Sequence, residues 1–394
     1  MQKRLTHADL VNARSGAVDS SAIRDLLQQA QTPGVISLAG GLPDPDLFPT
    51  SELADIVARA IRSRGRDILQ YATTRGEEQP RAVLGAMMGE TNPDRVVVTT
   101  GSQQGLDLIA RAVLDVGDTV ITGDPDYVGM LSAVRSHGAS PHPVTIDKDG
   151  LDTERLASDL DAGVRPKACY LVPHFHNPTG ASISAERRQH LHQLSAHYGF
   201  IVIEDDPYRS LYYNGLCPTE AESDPELTVR LRSASKVLAP GLRVGGLSGP
   251  DWLTDTIVRH KQATDLHTSS LDQAVVAEAL CSSWFPGHVA RLRGEYGAKR
   301  DLMVGLLSEA FGRRIRFVVP DGGMFVWATF TDRIDTANML IRALDRGVCF
   351  VPGEAFAVKA DLSQSLRLCF ATATKGQLAQ GVRRLAETVL PGDE

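Results

Sequence analysis

The chain has 394 residues, 42% of them apolar, and a formal charge of −7. That is enough apolar material for a large core and two domains, and too much chain for a short binding module. The negative balance opposes the counterion release on which nucleic-acid binding depends, so no nucleic-acid partner is expected. Five cysteines (Cys169, Cys217, Cys281, Cys349 and Cys369) are scattered, odd in number and never spaced C-x-x-C, which suits a reducing compartment. Residues 1–16 lack an apolar h-region, and no run approaches the roughly 18–20 apolar residues of a membrane span. A cytoplasmic protein without a membrane partner is expected.

In chain order, residues 20–32 place Ile23, Leu26, Leu27 and Ala30 at helical spacing between a serine and Pro33-Gly34, which predicts a short amphipathic helix. Gly40-Gly41 then form a turn where another molecule could approach the backbone, although an ordinary turn reads the same way. Residues 95–100 read as a buried strand and Gly101 as a hinge. Leu106, Ile109, Ala110 and Val113 mark one face of a helix stopped at Gly117. A Gly-Ser pair opening a helix presents free N–H groups and the positive dipole end, so Ser102 and Gln103 are candidates for holding an anion, as such turns are in every α/β protein. Strands are predicted at 120–122, 168–173 and 200–203. The last is apolar throughout and ends in Glu204-Asp205-Asp206-Pro207-Tyr208, an acidic carboxyl end of the kind where ligands collect in open α/β sheets. His174 and His176 have H-x-H spacing with no third ligand nearby, so no metal is expected. His190, His192 and His197 read as the solvated surface of the next helix.

The stretch from Thr228 to Gly249 reads as strand, loop and strand, with Lys236 on the loop among Ser233, Ala234 and Ser235. Desolvation favours the neutral amine that attacks an aldehyde, which is the chemistry of a Schiff-base lysine. Ser233 and Arg243 supply a hydroxyl and a guanidinium, the donors that grip a phosphate. An aldehyde and a phosphate together describe pyridoxal phosphate, while an isolated S-x-x-K describes a surface lysine in a turn equally well.

The run S-A-S-K-V-L-A-P-G-L-R-V-G resembles the cofactor-lysine motif of fold-type I pyridoxal-phosphate aminotransferases, closest to the 2-aminoadipate aminotransferase-like subgroup, and the resemblance extends from about Ser20 to the C-terminus. It implies an α/β large domain with a mostly parallel, seven-stranded-type sheet between helices, plus a smaller α+β domain. It also implies that Gly40 lies near the substrate carboxylate and Arg24 near its distal group, and that Tyr71 serves the phosphate of a neighbouring subunit in a homodimer. Tyr127 would stack on the cofactor ring and Asn177, in N-P-T-G, would donate to the ring oxygen and adjoin the substrate. Asp205 would pair with the ring nitrogen, Tyr208 would reach the ring oxygen, and Arg367, in S-L-R-L-C-F, would clamp the substrate carboxylate. The polar run Glu77-Glu78-Gln79-Pro80 departs from the family pattern at a dimer-facing position.

A long helix over 289–311, with Leu292, Tyr296, Met303, Leu306 and Ala310 toward one face, leads to strands at 315–320, 324–330, 348–352 and 365–370 and helices near 335–346 and 375–389. The expected division is residues 1–48 as an arm joining the small domain, 49–288 as the cofactor-binding domain and 289–394 as the small domain. No G-x-G-x-x-G follows a strand, which argues against a Rossmann dehydrogenase. The segment before Val35 is too short for the winged helix of aminotransferase-like regulators. The expected activity moves an amino group from an L-amino acid to a 2-oxo acid, 2-oxoglutarate by analogy. The alternative is a β-lyase, decarboxylase or oxidase using the same cofactor.

Overall fold

Runs of β-branched residues and amphipathic helices alternate along the chain, and the computed structural model, which describes residues 33–215, 217–218 and 223–389, folds them into an eight-stranded sheet, a four-stranded sheet and a two-stranded pair, with helices packed against them. After β1 (Ile36–Ser37) come α1 (Thr50–Ile68) and α2 (Glu78–Met87). The alternating section follows: β2 (Val96–Thr99), α3 (Ser102–Val113), β3 (Thr119–Asp124), α4 (Val128–Ser136), β4 (Ser140–Asp147), β5 (Gly150–Leu151), α5 (Thr153–Asp161), β6 (Ala168–Leu171), α6 (Ala185–Tyr198) and β7 (Ile201–Asp205). Next are β8 (Thr228–Ser233), β9 (Gly245–Ser248), α7 (Asp251–Thr264), α8 (Ser270–Cys281) and α9 (Phe285–Phe311). The chain closes with β10 (Ile315–Phe317), β11 (Phe325–Phe330), α10 (Thr336–Asp345), β12 (Val348–Cys349), β13 (Val351–Pro352), β14 (Ser365–Cys369) and α11 (Lys375–Ala386).

The large sheet has the order β2-β9-β8-β7-β6-β3-β4-β5. Its central strands are parallel, β9 runs antiparallel to both β2 and β8, and the two-residue β5 adds an eighth strand antiparallel to β4 beyond the seven expected. Because β9 opposes both its neighbours, β2 points the same way as β8. The carboxyl ends of β2, β3, β6, β7 and β8 therefore share one edge, and the loops leaving them converge. A second, antiparallel sheet has the order β10-β11-β14-β13.

Three expectations need correction. The strand anticipated over 348–352 is two short ones: β12 pairs with β1, and β13 with β14, so the segment after Gly34 joins the C-terminal part of the chain. The long helix begins at Phe285, and its buried stripe runs through Met303, Leu307 and Phe311. Leu306 and Ala310 lie one residue out of phase with that stripe. His192 is buried, not solvated, and meets the Glu204 carboxylate at 3.3 Å beside Arg188 at 2.8 Å. Glu204 therefore serves a buried ion cluster, and only its neighbour Asp205 reaches the cavity. The helix anticipated over 20–32 lies outside the described residues.

Candidate active site

Along the shared sheet edge, Tyr127 follows β3, Asn177 follows β6, Asp205 ends β7 and Lys236 closes the short turn after β8, and all four line a cavity of about 540 Å³. Lys236 Nζ donates to the Gly41 carbonyl at 2.7 Å and stands 5.9 Å from the Tyr208 ring centroid. Burial draws its amine down from 10.5 to about 8, reinforced by Arg367 and Arg243 and opposed by Cys369 and Asp205. A Cβ on Gly41 would lie 2.9 Å from Phe325 Cζ, so only glycine lets this carbonyl reach the lysine without displacing the ring.

Asp205 is buried, and burial raises its carboxyl from 3.8 to about 6, against the lowering effect of the Ser102 and Tyr170 hydroxyls. Tyr170 donates to Oδ2 at 3.3 Å, whereas Oδ1 has no hydrogen-bond partner among the described residues. A buried carboxylate oxygen without a donor, on a residue that lines the cavity, is suited to a ligand N–H, such as a protonated ring nitrogen. Behind it, Asp206 is held charged by Arg232 at 3.0 Å and His174 at 2.6 Å. His176 instead meets Asp126 at 3.1 Å, so the H-x-H pair is divided between two carboxylates.

At one end of the cavity, α3 begins after Gly101 (φ 78°) with no side-chain cap. The Arg243 guanidinium lies so close to Gly101 that a Cβ there would sit 2.6 Å from Nη2. Arg243, itself at φ 51°, donates from Nη2 to the Thr100 carbonyl at 3.1 Å. Ser233 Oγ accepts from the Ser235 backbone N–H at 3.1 Å and donates to Ser235 Oγ at 2.7 Å. Uncapped N–H groups, paired hydroxyls and a guanidinium form a cradle for a dianion. At the other end, Arg367 on β14 is buried between Phe325 (4.4 Å) and Phe356 (4.9 Å). It donates to Asn177 Oδ1 at 2.7 Å and to the Ala39 carbonyl at 2.5 Å, while its Nε has no partner among the described residues.

The aminotransferase class I and II family matches residues 34–385. The chain is 37% identical to the 2-aminoadipate transaminase of Thermus thermophilus, with 98% of each chain covered. Among solved structures it is similar to an α-aminoadipate aminotransferase of the same organism complexed with N-(5'-phosphopyridoxyl)-L-leucine (TM-score 0.89, 35% identity, 98% of both chains). It is also similar to a Pyrococcus horikoshii kynurenine aminotransferase (TM-score 0.91, 34% identity, 97% of both chains). The chain belongs to the class I and II aminotransferases. It is a pyridoxal-phosphate-dependent aminotransferase of fold type I, similar to the aminoadipate subgroup.

Within this aminotransferase, Ser102, Gln103, Tyr127, Asn177, Asp205, Tyr208, Ser233, Lys236, Arg243 and Arg367 gather around one cavity. Tyr127 Oη donates to Gln103 Oε1 at 3.2 Å, and burial pushes its hydroxyl up to about 12. Gly40 is buried between Ala39 and Gly41, whose carbonyls hold Arg367 and Lys236. Tyr71 does not reach this cavity: it is exposed and packs edge-on against His267 at 5.9 Å. Arg24 lies outside the described residues. The sequence reading missed Tyr170, hidden within an apolar strand, and gave Ser235 no role. The S-x-S spacing ahead of the lysine could have indicated a second hydroxyl.

Proposed function

We propose that Lys236 is the base and acid of an L-amino-acid transamination, with Asp205 as the electrostatic partner of the ring nitrogen. The observation that supports this most is a partly desolvated amine and a buried carboxylate with one unpartnered oxygen in the same cavity, between two arginines. When bound, pyridoxal phosphate supplies an aldehyde for the substrate amine and an electron-accepting ring. Ser102, Gln103, Ser233, Ser235 and Arg243 hold its phosphate, Tyr127 covers the ring, and Asn177 and Tyr208 donate to the ring oxygen. Asp205 keeps a proton on the ring nitrogen. Arg367 clamps the substrate α-carboxylate, for which its planar fork and free Nε are suited. Lys236 Nζ, neutral in part near pH 8, removes the Cα proton and returns it one carbon away.

We assign 2-oxoglutarate as acceptor, and a donor class spanning 2-aminoadipate, branched-chain and aromatic amino acids. The names of the relatives support this range. The working form is a homodimer in which the exposed Tyr71 serves the neighbour's phosphate, and Arg24 contacts the distal end of the substrate. We take residues 1–48 and 289–394 as one small domain and 49–288 as the other, supported by the pairing of β1 with β12. A cytoplasmic setting is supported by the free state of all five cysteines. No described helix is long and apolar enough to cross a membrane.

Two variants test these roles. Lys236→Ala should abolish both the yellow lysine-linked absorbance and turnover with a panel of amino donors, and retained turnover would sink the mechanism. Tyr71→Phe should weaken cofactor affinity several-fold, and unchanged affinity, or an active monomer by sedimentation, would remove the shared site.

A further inference from the structure

Lys261 lies on α7, outside the cavity, and is fully buried. Its Nζ donates to Gln104 Oε1 (2.9 Å), Asp265 Oδ2 (2.9 Å) and Thr268 Oγ1 (3.0 Å). Burial draws the amine downward, and the Asp265 carboxylate opposes that. A buried ammonium is costly, and replacing such a group with apolar packing is often neutral or stabilising. Fold stability alone is therefore a poor reason for a lysine here, and none of the catalytic steps uses it.

The chain of contacts leads to the phosphate end of the site. The same Gln104 Oε1 accepts the Thr100 backbone N–H at 2.7 Å, and Gln104 Nε2 donates to Asp265 at 2.6 Å. Thr100 Oγ1 lies 3.2 Å from Thr268 Oγ1. The Thr100 carbonyl then accepts from Arg243 Nη2 at 3.1 Å. Thr100 precedes Gly101, whose missing side chain makes room for Arg243 but leaves the turn with little intrinsic stiffness. A turn that must aim both an arginine and the first N–H groups of α3 at one anion needs bracing from outside.

We propose that Lys261 is a positioning residue for the phosphate grip. By fixing the Gln104 amide it fixes the Thr100 backbone N–H, and through the carbonyl of the same residue the Arg243 guanidinium. This rests on the reading that Arg243 and the start of α3 take the cofactor phosphate.

The test compares pyridoxal phosphate with pyridoxal, which shares the ring and aldehyde but has no phosphate. Both are titrated into cofactor-stripped wild type, Lys261→Met, Gln104→Leu and Arg243→Met, with circular dichroism as the check of folding. Lys261→Met should weaken pyridoxal phosphate about tenfold and leave pyridoxal unchanged. Gln104→Leu should do the same, and decides the matter if the lysine variant does not fold. Adding Lys261→Met to Arg243→Met should produce a smaller further loss than Lys261→Met does alone, because part of its effect runs through Arg243. Equal weakening of both ligands, or of neither, in the folded Lys261 and Gln104 variants would reduce Lys261 to a fold element and overturn the proposal while the phosphate reading stands. If Arg243→Met itself leaves the ratio of the two affinities unchanged, the phosphate reading fails and the proposal falls with it.

Discussion

Replacing Asp205 with asparagine should make the cofactor-free protein more stable and the enzyme far slower. The carboxyl is raised from 3.8 to about 6, chiefly by burial. Between these values the folded protein holds a proton that the unfolded chain has released. Stability therefore falls as pH rises from about 4 to about 6 and remains at the lower level above it. The full effect is ~3 kcal/mol, from ~1.4 kcal/mol per pH unit of displacement. Asparagine resembles the protonated acid and carries no charge, so variant and wild type should match below pH ~4 and diverge by up to ~3 kcal/mol above pH ~6. Urea unfolding of both cofactor-free proteins on either side of that window measures the difference. The half-reaction with a good amino donor should meanwhile slow about a hundredfold or more, because a ring nitrogen without a carboxylate partner accepts electrons poorly. The same stability difference at both ends of the window would show that Asp205 is not ionised against its burial. A near-normal half-reaction would show that it is not the ring's partner, and Asp206 would be the next residue to test.

Arg367→Lys should lower kcat/KM roughly tenfold to a hundredfold, mainly through KM. An ammonium cannot span Asn177, Ala39 and a carboxylate in one plane, and steady-state kinetics that match wild type would contradict the clamp. Capture of pyridoxal phosphate by the cofactor-free protein should accelerate with pH about a midpoint near 8 and level off above it, since Lys236 loses its proton there and not near 10.5. Stopped-flow absorbance that keeps rising past pH 9 would contradict a desolvated lysine.

The parts of the site that could be read from the chain were those where chemistry is tied to local spacing. Ser233, Lys236 and Arg243 lie within one strand-loop-strand unit, and Asp205 and Tyr208 lie at the end of one apolar strand, so sheet topology alone brings them together. What could not be read was polarity turned inward. His192 and Arg188 look like a solvated helix face because periodicity equates polar with exposed, whereas Glu204 gives them a buried partner sixteen and twelve residues away, respectively at Arg188 and His192. Arg232 alternates with apolar neighbours in the manner of a strand's polar side, but β8 is covered on both faces and Arg232 is buried against Asp206. Lys261 was invisible for the same reason. The Gly41 carbonyl that holds Lys236 is 195 residues away in sequence, and no local pattern encodes that contact.

Among the described residues, three basic side chains of the cavity face a single carboxylate there, and each is held by neutral oxygen. Lys236 rests on the Gly41 carbonyl, Arg243 on those of Thr100 and Pro240, and Arg367 on Ala39 and the Asn177 amide. Neutral acceptors hold these groups without cancelling charge, and bonds to an ionised acceptor are roughly twice as strong. The excess lies at the two ends, where a phosphate and a carboxylate would enter, while the one carboxylate among the described lining residues, Asp205, lies between them on the sheet edge. Burial lowers the Lys236 amine and raises the Asp205 carboxyl, so the charge that the described residues of the cavity leave unneutralised is that of the two arginines. Anionic ligands that compensate this charge gain affinity from it, and the Thr100 and Asn177 contacts keep both arginines aimed before the ligands arrive, which reduces the ordering cost of binding.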